Sequence, residues 1–136
     1  MNIEKKELKL NTGKIAWYEY DRDGDVLEII FHPGEATVAV ELTESIILRF
    51  DWEAVEPLSL SFISFSKLLP ANPYGEMHFQ LLQDEWPDEV RKKIWPMLQR
   101  APLSDFLKLG GYTPAHTRQI IPLTTIKQGY LTAQAA

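Results

Sequence analysis

Three aspartates at alternate positions are the residues of the chain that most resemble a chemical motif. Asp21, Asp23 and Asp25 stand in the stretch "YDRDGD", and Glu28 follows three residues later. A calcium loop of the EF-hand type needs glycine after the third ligand and a glutamate six residues beyond it. Here the glycine precedes Asp25, and alternate residues of a hairpin face opposite sides. The spacing favours a tight turn whose carboxylates accept from nearby backbone N–H groups, and a calcium-type site is the alternative.

The histidines and serines give a weaker chemical signal. The three histidines are widely separated: His32, His78 and His116. None of them has the close spacing of a helical metal-binding pair. Four serines follow one another in the stretch "LSLSFISFSK": Ser59, Ser61, Ser64 and Ser66. Because no nucleophile motif surrounds them and they alternate with Leu and Phe, they indicate a polar sheet face.

Four acidic residues cluster around one predicted turn: Glu41, Glu44, Asp51 and Glu53. Paired carboxylates can carry out general acid–base chemistry, but acids at strand ends are more often simply solvated. A small hydrolase or metal-dependent enzyme that uses this cluster and a histidine is therefore the alternative function. We predict no catalytic residue, no metal ligand and no cofactor.

Length and composition limit the remaining possibilities. A chain of 136 residues has the usual size of one compact domain, and 45% hydrophobic residues suffice for an apolar core. A net charge of -5 with dispersed Lys and Arg argues against nucleic acid as a partner. No cysteine occurs, and no apolar run is long enough for a signal sequence or a membrane span. We expect a soluble cytoplasmic protein.

The first half of the chain has the period-two pattern of β-strands. The predicted strands are 15–20, 26–31, 36–42 and 46–51, followed by a run at 58–69. Turn clusters such as "HPGE" separate them. In the last run the alternation slips at Ile63, which would leave the apolar face unless a bulge absorbs one residue. The pattern predicts an antiparallel β-meander over 15–69.

The second half, 70–126, is predicted to be a helical cover followed by an extended segment. The stretch "DEWPDEVRKKIWPMLQRAP" has helical spacing, with Pro87 in the first turn and a bend or end near Trp95 imposed by Pro96. A second helix is expected to begin at Ser104 and stop at Gly110-Gly111. Residues 127–136 are predicted to be a mobile tail. The expected fold is α+β: a single domain with one sheet face covered by C-terminal helices.

The first half also resembles a known family. The stretches "YDRDGDVLEIIF", "VELTESIILRFD" and "FISFSKLL" are similar to the small bacterial domain of unknown function 2283, over about residues 15–69. The matching positions are Tyr20, Asp21, Asp25, Leu27, Ile29, Phe31, Glu41, Ile47 and Asp51. The resemblance implies a β-meander, found in some cases beside toxin–antitoxin or mobile-element genes, and it implies no particular chemistry.

The aromatic residues of the sheet indicate an interaction surface. Neighbours on a strand alternate, so Trp17 and Tyr18 cannot both face the same core. If the helices cover the Trp17 side, then Tyr18, Tyr20 and Ile47 project from the opposite face, and a monomer rarely exposes such a patch. We therefore expect a non-enzymatic protein-interaction or oligomerisation module, a homodimer or a subunit bound to another protein, with these three residues as the candidate interface.

Overall fold

The computed structural model describes residues 2–69 and 77–131. The chain divides into two compact units, Met1–Lys67 and Leu68–Ala136, which are described separately below. The boundary falls close to residue 69, where the predicted meander ends. Most of the Pro- and Gly-rich connection and residues 132–136 of the predicted mobile tail lie outside the described residues. The single-domain organisation stays a prediction.

Six antiparallel strands form one sheet in the described part of the first unit. They are β1 (Ile3–Lys9), β2 (Ile15–Asp21), β3 (Val26–Ile30), β4 (Val38–Glu41), β5 (Ile46–Asp51) and β6 (Glu56–Ile63). Their order across the sheet is β1-β2-β3-β6-β5-β4, with β1 and β4 at the edges. The sheet is therefore meander-like but not a plain meander, because β6 returns to pair with β3.

Strand alternation gives this sheet two faces of different character. On the inner face, the register aligns Tyr18 with Ile29 and Ile29 with Leu60, and all three are at most 1% exposed. We call the opposite side the outer face; it carries Trp17, which pairs with Ile30, and Glu28, which pairs with Ser61. The inner face therefore holds the apolar core of the unit, as the period-two pattern requires.

Two features of this sheet were not predicted from the sequence. The edge strand β1 was missed because its inner positions are Glu4, Lys6 and Leu8, so it lacks the apolar side that marks a strand. The pairing of β5 with β6 shifts by one residue between Arg49 and Phe50. Arg49 pairs with Ser59, but Phe50 pairs with Pro57, so Leu58 is an additional, unpaired residue in β6. The predicted slip at Ile63 needs no bulge, since this side chain simply belongs to the outer face and is 36% exposed.

Within the described residues, the second unit contains one long α-helix, helical residues at 129–131 and a three-stranded sheet. The helix is α1 (Asp88–Leu98), and the strands are β7 (Phe79–Gln80), β8 (Leu107–Tyr112) and β9 (Ile121–Ile126), in the order β7-β9-β8. Pro87 is the N-cap of α1, and the predicted apolar stripe is buried at Ile94, Met97 and Leu98. The helix continues past Pro96, so the predicted end near Trp95 was wrong.

The predicted second helix was also wrong. Only one 3-10 turn, Leu103–Asp105, forms there, and the chain then enters β8, which contains Gly110 and Gly111. Glycine ends helices, but it also fits a strand where another residue approaches the backbone closely. A Cβ on Gly111 would lie 2.8 Å from Ile120 Cγ2, so a larger residue there would require the exposed Ile120 side chain to move. The extended piece predicted around 120–126 is confirmed as β9.

The structure therefore bears out the predicted antiparallel sheet more fully than the predicted helices. The helical part of the α+β assignment reduces, in the described residues, to α1, helical residues at 129–131 and short 3-10 turns. Cover of one sheet face by C-terminal helices stays a prediction. Leu131, inside the predicted mobile tail, is fully buried, and its N–H donates to the Gln128 carbonyl. Among the described helices, none has the length and apolar character required to cross a bilayer.

Candidate functional site

The aspartate-rich stretch is the turn of the β2–β3 hairpin. Asp21 Oδ1 accepts from the backbone N–H of Asp23 at 3.1 Å and of Gly24 at 3.2 Å, the local pattern of an Asx turn. A Cβ on Gly24 would lie 3.0 Å from Asp21 Oδ2, so glycine lets that carboxylate approach the backbone. The residue with positive φ is Asp25, at 53°, and not Gly24. The turn interpretation is supported for Asp21.

Asp25 makes long-range contacts that the turn interpretation did not include. Its Oδ1 accepts from the Tyr20 hydroxyl at 2.7 Å and from the Ser66 N–H at 3.0 Å, and its Oδ2 accepts from Ser66 Oγ at 2.6 Å. Its carbonyl accepts from the Phe65 N–H at 3.0 Å. The Tyr20 ring also packs edge-on against Phe65. Asp25 thus ties the hairpin to the 3-10 turn Phe65–Lys67 after β6.

These hydrogen bonds shift the protonation of both partners. Hydrogen bonds from Ser66 lower the pKa of the Asp25 carboxyl against the opposing effect of desolvation, and the bond from Tyr20 adds to the lowering. The same bond to Asp25 raises the pKa of Tyr20 to about 12, with a further increase from burial. Both shifts favour the observed state, a neutral phenol that donates to a carboxylate. The described residues contain no group of three or more His, Asp or Glu side chains arranged to hold a metal ion.

The turn is expected to bind no cation tightly. Asp21 and Asp25 are engaged with different hydrogen-bond donors on either side of the turn, so binding of an ion would have to break these contacts. Isothermal titration with calcium, magnesium and zinc is expected to show no site of micromolar affinity. A stoichiometric site that Asp25→Asn abolishes would contradict this expectation.

Tyr20 is expected to titrate near pH 12 in the folded protein. Its pKa is raised above the unfolded value of about 10, so the stability it contributes is fully present below pH 10 and is lost as the pH rises towards 12. The tyrosinate absorbance of the parent and of Tyr20→Phe can be compared during an alkaline titration. The variant should lack the late-titrating phenol. If the phenol that the substitution removes titrates near pH 10 in the parent, the hydrogen bond from Tyr20 to Asp25 is absent in solution.

The outer face of the first sheet exposes large apolar side chains. Trp17 is 38% exposed and Ile15, on the same face of β2, is 46% exposed. Ile3 on β1 and Ile63 on β6 also belong to this face, with exposures of 40% and 36%. The polar row of Glu19 and Glu28 separates Ile3 and Ile63 from the other two, so the apolar surface relevant to an interaction is the stretch of Ile15, Trp17 and the neighbouring Ile30.

A polar network crosses the centre of this face. Arg49 Nη1 donates to Ser61 Oγ at 2.6 Å, and Ser61 Oγ lies 3.3 Å from Glu28 Oε2. The Arg49 and Glu28 charges approach to 3.8 Å. Ser61 is almost fully buried beneath the two longer side chains. The network fixes one edge of the guanidinium while the side chain remains partly exposed.

A shallow groove of about 430 Å³ lies beside this network. Arg49 and Glu28 form its polar side, and Ser59 lies on its floor. The rest of the lining consists of His32, Pro33, Gly34 and Ala36 and of two apolar side chains, Ile30 and Leu58. Leu58 is the additional residue of the β-bulge, so the bulge helps to shape the groove.

The structure separates the three residues predicted to form an interface. Tyr18 is 1% exposed on the inner face, and Tyr20 lies on that same face, bonded to Asp25. Ile47 is half-buried on the outer face, where it pairs with Ser61. The predicted face was therefore wrong for Tyr18 and Tyr20, because Trp17 is the exposed member of the alternating pair. A role of these residues in an interface stays a prediction.

The other chemical candidates lie in structural positions. Glu53 donates its N–H to Asp51 Oδ1 at 3.1 Å, so these two acids set a turn. His32 Nε2 lies 4.0 Å from Glu56 Oε2, on the rim of the outer-face groove. The serines divide: Ser59 and Ser61 are on the outer face, whereas Ser64 has φ 55° and Ser66 binds Asp25. No sequence pattern predicts the Arg49–Ser61–Glu28 network, because its members lie on three strands.

Fold and contacts define the first unit as an antiparallel β-sheet domain with a structural Tyr–Asp–Ser contact and a partly apolar outer face. The family described as "Protein of unknown function (DUF2283)" has a model that matches residues 17–53, from β2 to just beyond β5. This match confirms the resemblance noted in the sequence. No curated protein and no solved structure matches the chain significantly.

Proposed function

We propose that the chain is a non-enzymatic interaction module that forms a homodimer through the outer face of its first sheet. One observation carries the proposal: this face presents both an exposed indole, Trp17, and a groove of suitable size lined by Arg49 and Ile30. Indole rings bury large apolar area and favour contact with a guanidinium. The face thus holds both halves of a self-complementary contact.

The strand order makes this contact reciprocal. The register aligns Trp17 with Ile30, Ile30 with Ser59, and Ser59 with Arg49 in one row across four strands. A two-fold axis parallel to the strands and passing between β3 and β6 places β2 of one protomer over β5 of its partner. Trp17 then lies over the partner's Arg49, at its groove, and the partner's Trp17 does the same in return. Such an isologous contact closes as a dimer.

The same axis pairs opposite charges at the margins of the face. In the next row, Lys5 on β1 and Glu41 on β4 occupy the two ends. The axis places β1 of one protomer over β4 of its partner, so each Lys5 faces a Glu41. Complementary charges at the rim of an interface favour the correct register more than they add affinity.

The size of the face sets the expected strength. Six strands spaced about 4.8 Å apart, with about five residues each at about 3.3 Å, give a face of roughly 29 by 17 Å. With the relief of its side chains, this face buries an area near the lower end of the roughly 1,200–2,000 Å² typical of specific complexes. We therefore expect a dimer of micromolar affinity.

The alternative, a small hydrolase or metal-dependent enzyme, is supported less well. Three of the acids singled out in the sequence have structural partners: Asp21 and Asp51, the latter a member of the acidic cluster, accept from turn N–H groups, and Asp25 accepts from Tyr20 and Ser66. A catalytic acid or base needs a lone pair or proton directed at a substrate. The groove of the outer face is shallow and offers a cation to a partner surface instead.

Sedimentation equilibrium across the micromolar range tests the proposal. A reversible monomer–dimer equilibrium is the expected result, and it should weaken on substitution of outer-face residues. A strictly monomeric chain over this range would overturn the homodimer. An unchanged dimer in outer-face variants would place the interface elsewhere.

A further inference from the structure

The three-stranded sheet of the second unit carries a groove of about 220 Å³ on one face. The register pairs Lys108 with Thr125 and Gly110 with Leu123, and these four residues line the groove. Extending the β7–β9 register by one residue places His78 beside Thr125. An imidazole, a hydroxyl and an ammonium group thus form a row across the sheet, with strands about 4.8 Å apart.

The hydroxyl in the middle of this row has no hydrogen-bond partner among the described residues. Thr125 is 6% exposed and lines the groove, and its carbonyl, not its hydroxyl, takes part in the bond with Thr124 Oγ1. The adjacent Thr124 hydroxyl is engaged, since it donates to the Lys108 carbonyl at 3.0 Å. Because Thr125 lines the groove and its hydroxyl is not committed to another described residue, that hydroxyl can donate to a ligand in the groove.

The charge of this part of the chain favours an anion. Residues 1–67 contain 13 acidic and 7 basic residues, whereas residues 68–136 contain 6 acidic and 7 basic residues, so the net charge of -5 arises in the first unit. After Asp105, the sequence contains no Asp or Glu. Both β8 and β9 lie in this stretch, and no carboxylate lines the groove.

The glycine next to Lys108 on this face leaves space for more than a small ion. A Cβ on Gly110 would meet nothing within 4 Å, and its backbone is not in the left-handed region. Leu123 lies opposite Gly110 and gives the adjacent floor an apolar surface. A ligand with an anionic head at Lys108 and a flat apolar group over Gly110 and Leu123 fits both ends.

We propose that this groove binds the phosphoryl group of a small phosphate monoester. Lys108 supplies the charge, His78 and Thr125 supply N–H and O–H donors, and the three converge from neighbouring strands on a tetrahedral oxyanion. Lysine binds phosphate as a point charge, and hydroxyl and imidazole donors fix its orientation. This site is separate from the outer face of the first sheet and does not depend on dimerisation.

Two probes test the site: inorganic phosphate and phenyl phosphate. Each is titrated into the full chain, and its binding is detected by NMR from changes in amide chemical shifts. Saturable shifts at His78, Lys108, Gly110 and Thr125 are expected, with tighter binding of phenyl phosphate. Lys108→Gln should weaken both probes about tenfold or more, because a charge-assisted hydrogen bond is lost. Lys127→Gln, an exposed lysine outside the groove, is the matched control and should change affinity less than about twofold.

The remaining variants separate the two ends of the groove. Thr125→Val removes the hydroxyl at nearly constant shape and should weaken both probes several-fold. Gly110→Ala should weaken phenyl phosphate and leave inorganic phosphate unchanged. Absence of saturable shifts, or an equal effect of Lys108→Gln and Lys127→Gln, would overturn the site. Equal affinity for the two probes would contradict binding of the ester group, and the site would then be one for free phosphate.

Discussion

Trp17→Glu is expected to convert the dimer into a monomer at concentrations where the parent is mostly dimeric. Two indoles leave the interface, and the shorter glutamate does not fill the groove. The partner's Arg49 is already paired with Glu28 of its own chain, so its attraction for the new carboxylate does not replace the lost apolar contact. Aromatic anchors at the centre of interfaces commonly contribute 2 kcal/mol or more each, and the two-fold axis doubles the effect. Sedimentation equilibrium should therefore show a monomer across the micromolar range, because association is weakened by a factor of about a hundred or more.

A matched control shows whether the position of the charge matters. Tyr112→Glu places the same charge on an exposed aromatic residue of the second unit, 56% exposed, and should leave the dimer intact. Thermal melts of both variants report whether they fold. A Trp17→Glu variant that folds and still dimerises like the parent would exclude the outer face as the interface.

Charge reversal tests the direction of the two-fold axis. Lys5→Glu and Glu41→Lys should each weaken the dimer, and the combination of both should restore it, because the contact is with the partner's residue. Lys5 also lies 3.7 Å from Glu19 in its own chain, so melts must accompany the measurement. Lys9→Glu, on the same face but in another row, should gain nothing from Glu41→Lys. Failure of the double variant to recover would exclude this axis.

Tyr18→Glu, at a residue of the interface predicted from the sequence, is expected to unfold the first unit and not merely to break a dimer. Tyr18 is 1% exposed between Ala16 and the inner-face side chains of β3, so a carboxylate there would be buried without a partner. From one sequence, alternation establishes that Trp17 and Tyr18 face opposite sides, but not which side is covered. Trp is the larger apolar residue, and yet it is the exposed one.

The sequence predicted local structure well and long-range pairing poorly. The strands at 15–20, 26–31 and 46–51 follow from alternation and turn residues, which are local. The pairing of β3 with β6 joins residues 29 to 37 positions apart, so no turn signal reports it. Gly110-Gly111 was interpreted as a helix end, since the close approach of Ile120 to Gly111 is visible only in the fold.

The candidate sites show the same limit. The aspartates of the turn resemble a metal-binding motif because they are close in sequence, but their observed hydrogen bonds are structural. Arg49, Ser61 and Glu28 form a network that only strand register brings together. His78, Lys108 and Thr125 likewise come from three different strands or their extensions. Sheets gather functional side chains from distant segments, and a sequence without its register gives no indication of such a set.

Asp25→Ala is expected to lower the free energy of unfolding by about 2–3 kcal/mol without affecting dimerisation. The variant removes the acceptor of three hydrogen bonds from Tyr20 and Ser66, and it places at φ 53° an alanine, which lacks the local side-chain hydrogen bonds that let Asp tolerate this left-handed conformation. For a chain of this size the melting temperature should fall by about 8 °C.

Asp25→Asn separates the contribution of charge from that of backbone strain. Asparagine tolerates the left-handed conformation and keeps one carbonyl acceptor, so a loss of only about 1 kcal/mol is expected at neutral pH. The pKa of Asp25 is lowered by folding, so its charge stabilises the fold above the unfolded pKa of about 3.9, and this stabilisation is lost as the pH falls through the lower folded value. The parent and Asp25→Asn should therefore converge in stability in acid, as followed by urea unfolding at several pH values. Equal stability of parent and Asp25→Ala at neutral pH would show that the hydrogen bonds from Tyr20 and Ser66 to Asp25 contribute nothing to the fold. If the difference in stability between parent and Asp25→Asn persists unchanged in acid, the carboxylate charge is not what stabilises the parent.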